Sequence, residues 1–243
     1  EIYTLSLHDA LPIWSAAALT HTEMVSCAGL VRANRKTSDM LATLPEEGPV
    51  VLQLFGGEAD TVARGAEVAL ELKKRRGEAV FAGLGINMAC PMPKVTRRGA
   101  GAALLENPPE AFAMTRLLKR LELPVWVKIR RLNNGRNEDT LRFVEGLLAA
   151  GADNVCIHGR TAAQRYEGRS DRLVVAEAAR HFPGKIAASG DVRTPEDVQA
   201  YLAAGCVVVM LARGAMANPW LFPESLHRSE EHTSELQSRS AIS

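Results

Sequence analysis

The chain has 243 residues, 47% of them hydrophobic and 23% charged, with 29 basic against 28 acidic side chains. That apolar share supports a sizeable core and excludes wholesale disorder, and a net charge of +1 names no polyanionic partner by itself. No apolar run reaches membrane-spanning length, and four scattered cysteines (Cys27, Cys90, Cys156, Cys206) in so long a chain argue against a disulfide scaffold and for a reducing compartment.

The ends read differently from the middle. Residues 1–13 and 228–238 resemble translated sequencing-library adapters, and acidic Glu1 and Asp9 do not suit the basic start of a signal peptide. The expectation is a partial domain over 14–227, with 1–13 as artefact and 228–243 as artefact or unstructured tail. Setting aside two basic and five acidic flank residues leaves 27 against 23 in the middle, a mild positive bias.

Along the chain, Leu19–Val25 is a short strand candidate and Val50–Phe55 a buried strand ending in Gly56-Gly57. A helix follows, with Val62, Ala66, Ala69 and Leu70 on one face. Ala79–Ile86 reads as a strand, and Asn107-Pro108-Pro109-Glu110 as a capped helix start running to about Leu121. Strand Pro124–Ile129, helix Asn137–Ala150 closed by Gly151, strand Asp153–Ile157 and helix Asp171–His181 come next. Strand Lys185–Ala188, a helix opened by Thr194-Pro195-Glu196-Asp197, strand Val207–Leu211 and a helix start near Ala217–Leu221 complete the series.

Most of these strands look like continuous apolar runs, as in a parallel sheet covered by helices. A doubly wound sheet and an eight-fold β/α barrel both fit, but no G-x-G-x-x-G follows an early strand. Distinctive residues stand at successive strand ends: Gln53, Asn87, Lys128, His158, Ser189-Gly190-Asp191 and Arg213-Gly214. A barrel gathers all of these on one rim, where active sites sit. The fold expected is therefore an α/β (β/α)8 TIM barrel, with seven strands present and the first missing.

Cys90, in N-M-A-C-P-M-P-K-V just past a strand, is the sharpest chemical signal. A rim thiol held by prolines can exchange a proton with a bound substrate, whereas Cys156 and Cys206 sit in apolar strands as ordinary core thiols. A zinc site is not expected, since no second Cys or His lies at ligand spacing. Lys128 in an apolar strand calls for an anion, a polar cofactor or a snorkelling path to water. His158 reads alone as a structural histidine, but with Lys128 nearby it points into a site. Gln53, with several hydrogen-bonding positions, suits a planar heterocycle. Gly190, Asp191, Arg213 and Gly214 close the last two strands, where barrels commonly bind phosphate.

The segments T-E-M-V-S (22–26), L-Q-L-F-G (52–56), I-N-M-A-C-P-M-P-K-V (86–95), V-K-I-R (127–130), I-H-G-R-T (157–161), S-G-D-V (189–192) and A-R-G-A-M-A-N-P-W-L-F (212–222) resemble the tRNA-dihydrouridine synthase family, most of all its bacterial B-type branch. The resemblance implies a cytoplasmic, FMN-containing barrel that reduces the C5–C6 bond of a uridine in tRNA with NADPH. It implies Cys90 as the proton donor to C5. Gln53, Lys128 and His158 would lie at the flavin ring and ribityl chain, and Ser189, Gly190, Asp191, Arg213 and Gly214 at the FMN phosphate. Asn87 and Arg160 would lie near the uracil, and no metal or membrane is implied. Against the family's usual pattern, its first strand with Pro-Met-Ala-Gly and its C-terminal helical domain are not seen. Ser189 stands for Asn, and Ala212 for Gly. The alternatives are another FMN-dependent barrel oxidoreductase acting on a free pyrimidine, and an inactive partial barrel.

Overall fold

The computed structural model describes residues 19–44, 47–133 and 136–225. The segments 1–13, expected as artefact, and 228–243, expected as artefact or unstructured tail, lie outside the described residues. The strands are β1 (Thr20–His21), β2 (Val25–Ser26), β3 (Val50–Phe55), β4 (Gly83–Met88), β5 (Val125–Arg131), β6 (Asn154–Thr161), β7 (Ile186–Ser189) and β8 (Val208–Met210). All pair in parallel in the order β1-β3-β4-β5-β6-β7-β8, with β2 also on β3. Among the described residues nothing joins β8 to β1, so the sheet is an open barrel with seven strand positions.

β1 and β2 are two pieces of the single strand expected over 19–25. Thr22 breaks it: its backbone N–H donates to the Val51 carbonyl at 3.0 Å, but its hydroxyl oxygen, not a carbonyl, accepts from Gln53 N–H at 2.9 Å. A side chain thus replaces one rung of the ladder.

The strands alternate, contrary to the expectation of unbroken apolar runs. In β5 (V-W-V-K-I-R-R), Val125, Val127 and Ile129 belong to the main apolar core, while Trp126, Lys128 and Arg130 point to the other face. Leu52, Leu54, Leu84, Ile86, Val155, Ile157, Ile186 and Ala188 continue the core face, packed with Val62, Ala66, Met114, Leu118, Val144, Leu147, Val174 and Ala178 of the covering helices. Gln53, Asn87, Cys156, His158 and Ser189 continue the inner face by the same period of two.

The sheet curls toward that inner face. On a flat sheet β1 and β5 would lie about 14 Å apart, three strand spacings, yet His21 and Trp126 bring their rings within 5.9 Å. Lys128 on β5 likewise reaches Ser189 across β6.

Two helix starts show what neighbouring side chains do. At the helix start expected over 194–197, Thr194 and Asp197 form a reciprocal capping box. Asn107 makes no side-chain cap on helix Pro108–Lys119, and Glu110 leaves its own helix to accept the Ala59 N–H at the start of helix Ala59–Arg76, 2.5 Å away. The helix expected near 217–221 divides into Arg213–Ala217 and a helical stretch over 221–225.

Candidate active site on the C-terminal rim

Because every strand runs the same way, all strand C-termini open on one rim. Asn87 organises the turn after β4: its Oδ1 accepts from the N–H groups of Ala89 (3.0 Å) and Cys90 (2.9 Å). Its amide Nδ2 donates to Gln53 Oε1 at 2.8 Å. Asn87 therefore fixes the thiol loop and the Gln53 side chain together. Cys90 is buried beside Val95, Ala100, Met24, Phe55 and Met92. Burial pushes its thiol up, and the backbone bond at Met92 and the charges of Arg130 and Lys94 only partly offset this, so the proton stays on sulfur at neutral pH.

Cys27, Cys156 and Cys206 are also buried and free, and burial raises each of them, Cys27 to about 12 and Cys206 to about 11. Cys27 and Cys206 belong to the main apolar core, as expected of Cys206, but Cys156, expected there too, lies instead on the inner face, level with Lys128, because the strand alternates.

β5 and β6 bring the cations inward. Lys128 Nζ donates to Ser189 Oγ at 3.0 Å; burial lowers its ammonium, and the Arg130 charge adds to the effect. His158 stands level with Arg130 and Ser189 in the sheet. Its Nδ1 accepts the Arg160 N–H at 3.1 Å, so the neutral ring presents Nε2–H as a donor. Burial, then the Lys128, Arg130 and Arg160 charges, lower His158 to about 2 and keep it neutral. Beyond His158 the pairing slips: Arg131 faces Thr161, so Gly159 and Arg160 form a bulge in β6.

That bulge aims Arg160 sideways, under the loop that follows. Its Nη2 meets Asp191 Oδ2 at 2.8 Å and the Gly168 carbonyl at 2.7 Å, and its Nε meets the Glu167 carbonyl at 3.0 Å. Nη1 is buried with no hydrogen-bond partner. Asp191 also accepts the Ser170 N–H at 2.8 Å, and Arg213 stands 3.7 Å from its other oxygen. Burial alone would raise the Asp191 carboxyl, but the Arg160 and Ser170 donors outweigh it, and the carboxyl lies below its ordinary value.

Gly190 (φ 104°) and Asp191 (φ 51°) turn the chain through left-handed conformations, and a side chain at Gly190 would meet Ser170 Oγ. A Cβ on Gly214 would stand 2.2 Å from the Val192 carbonyl oxygen, so this close backbone contact admits only glycine.

The candidate site residues thus lie on the inner face, on the loops of this rim, or, for Arg213 and Gly214, at the start of helix Arg213–Ala217. The groups fall into two sets: Gln53, Asn87 and Cys90 on one side, and Lys128, His158, Arg160, Ser189, Gly190, Asp191, Arg213 and Gly214 on the other. Sequence reasoning did not single out Arg130 or Tyr166, which connect the two sets. Arg130 Nε donates to the Ala89 carbonyl at 2.8 Å, and the Tyr166 ring lies against both Arg213 (4.7 Å) and Arg130 (5.6 Å). Arg130 was legible in V-K-I-R, since it shares the inner face with Lys128 two residues earlier; nothing in the sequence marks Tyr166.

Fold and rim define the class: an open parallel β/α barrel with a cationic rim and a protonated thiol at its edge. A solved structure of similar fold is that of DHODH in complex with ferulenol from Eimeria tenella, with TM-score 0.55 and 16% identity, covering 88% of this chain and 64% of that one. The family model described as Dihydrouridine synthase matches residues 5–241, and the chain belongs to that family. Its relatives include a probable tRNA-dihydrouridine synthase of Treponema pallidum, 32% identical over 92% of this chain and 67% of the relative. Another, of Mycobacterium leprae, is 34% identical over 83% of this chain and 53% of its own length. A tRNA-dihydrouridine synthase B of Pasteurella multocida is 30% identical over 85% and 60%. The chain therefore spans between about half and two thirds of these relatives.

Proposed function

We propose that this chain is the barrel part of a flavin-dependent tRNA-dihydrouridine synthase, an oxidoreductase that saturates the C5–C6 bond of a uridine in tRNA. The observation that carries the reading is the rim itself. In a chain of this family, a thiol kept protonated by burial shares one strand-end surface with a cluster of cations that their own carboxylate does not balance.

Arg160 and Arg213 face Asp191, whereas among the described residues Lys128 and Arg130 have no carboxylate partner. Buried cations in excess call for an anion. The unpartnered Arg160 Nη1 and the His158 Nε2–H are donors that polar ring edges would satisfy, and Arg213 is a half-exposed cation that a phosphate would satisfy. The residues present therefore fit FMN. Ser189, Gly190, Asp191, Arg213 and Gly214 would hold its phosphate, and Gln53, Lys128 and His158 its ring and ribityl chain. Bound there and reduced by NADPH, FMN would supply the hydride for C6 of the base.

Cys90 then donates its proton to C5. A thiol pushed up by burial holds that proton at neutral pH, as a general acid requires. Asn87 and Arg160 would border the uracil, Asn87 also fixing the loop that carries the thiol. Uracil must leave the tRNA stack to lie flat on a flavin. A tRNA substrate and unpaired thiols suit the cytoplasm, and no described helix is long and apolar enough to cross a membrane.

The test is to load the purified chain with FMN, reduce it with NADPH without oxygen, and follow flavin reoxidation. Reoxidation by unmodified tRNA and not by free uracil or uridine, lost in Cys90→Ala with flavin binding intact, is the expected result. Reoxidation by free pyrimidines, or full turnover in Cys90→Ala, would refute the reading.

A further inference from the structure

Arg130 is buried, with 3% of its surface exposed, and its guanidinium donates to three backbone carbonyls. Nε donates to the Ala89 carbonyl, one residue before Cys90, at 2.8 Å. Nη1 donates to the carbonyls of Thr161 (3.0 Å), the last residue of β6, and Arg165 (2.7 Å), on the loop after it. A lysine could not span these acceptors, because a point charge lacks the planar fork. The Tyr166 ring lies over the same guanidinium and also meets Arg213.

We infer that Arg130 is a positioning residue, clamping the Cys90 loop to the loop after β6 and stabilising the thiolate that remains once the thiol has given up its proton. The inference rests on the acid role proposed for Cys90. In that step the S–H bond breaks as the C5–H bond forms, the S–H electron pair stays on sulfur, and water later returns the proton. Among the described residues the charged groups facing Cys90 are Arg130 from β5 and Lys94 from the short helix Pro93–Thr96; Met24, Phe55, Met92, Val95 and Ala100 supply the uncharged remainder. Burial thus keeps the proton on the resting thiol, and the guanidinium eases its departure.

The test uses the whole 243-residue chain without flavin or RNA. Alkylation of each cysteine by iodoacetamide is followed by peptide mass mapping across the pH range in which thiols ionise. Arg130→Gln is expected to raise the pH midpoint of Cys90 and slow its alkylation about three- to tenfold at fixed pH, through loss of a nearby positive charge. Arg130→Lys is expected to restore the midpoint but to expose the loop. Cys90 then reacts at least about threefold faster, and the Ala102 amide, bonded to the Cys90 carbonyl at 2.9 Å, loses protection from hydrogen exchange. If Arg130→Gln fails to fold, the Arg130→Lys result decides alone. An unmoved midpoint in a folded Arg130→Gln, a midpoint that shifts equally in both variants, or parent-like Cys90 kinetics in Arg130→Lys overturns the inference. Because no turnover is measured, failure here is separate from failure of the acid assignment, which Cys90→Ala tests.

Discussion

Replacing Asp191 by Asn isolates the charge on which the rim is built. Asn is nearly isosteric and tolerates the left-handed backbone (φ 51°) better than Ala would. It removes the negative charge that faces Arg160, whose side chain is 3% exposed, and Arg213. Removing one partner of a buried ion pair costs about 3–5 kcal/mol when nothing takes its place. One amide oxygen remains to accept from Ser170 N–H or Arg160, so a loss of about 2–3 kcal/mol is expected. For a domain of this size that corresponds to a fall in Tm of roughly 5–10 °C, read by calorimetry or circular dichroism. The pH dependence has a defined sign. A carboxyl held below its ordinary 3.8 adds stability above that value and loses it as pH falls through the lower, folded-state pKa. The gap between parent and variant should therefore hold at neutral and mildly acid pH and close in strong acid. A variant within about 0.5 kcal/mol of the parent at pH 7 would show that Asp191 does not balance the buried guanidinium, and the account of the cationic rim would fail.

Two further predictions follow from groups around the bowl. His158, lowered to about 2, and His21, lowered to about 4, stay neutral when folded but take up protons on unfolding below about pH 6.5. Stability should therefore fall by about 2 kcal/mol per histidine between pH 7 and pH 5 in urea melts, and His158→Asn should remove about half of that slope; a flat profile would contradict the burial of both rings. Gly214→Ala should destabilise the chain by about 1–3 kcal/mol, because its Cβ must displace the Val192 carbonyl, and should weaken FMN binding at least about tenfold by fluorescence titration. Unchanged binding would remove the 213–214 turn from the site.

The architecture was readable because strands and helices alternate at the right lengths and the strand ends carry distinctive residues. Where the boundaries moved, side-chain chemistry explains the shift. β6 runs to Thr161, past the apolar segment, because His158 sits on the polar inner face and the strand continues beyond it through the Gly159–Arg160 bulge. β4 begins at Gly83 although Ala79–Val80 looks strand-like, because Val80 is exposed and pairing starts only where Ala82 N–H meets the Val50 carbonyl. Alternation in V-W-V-K-I-R was present in the sequence but hidden, since Trp126 counts as apolar while facing inward. The site residues were legible one by one from their strand-end positions. Their partners were not: Asn87 to the Cys90 turn, Arg160 to Asp191 and Arg130 to Ala89 are contacts between segments 3 to 41 residues apart, and only the folded sheet sets them.

The most direct test of the rim as an anion and flavin site is to titrate the chain with FMN and with riboflavin, which lacks only the phosphate, and to repeat both with Arg213→Ala. The account predicts one flavin per chain, FMN bound at least about tenfold more tightly than riboflavin, and that preference lost in Arg213→Ala without loss of fold. Equal affinity for the two flavins, or an undiminished preference in Arg213→Ala, would contradict it.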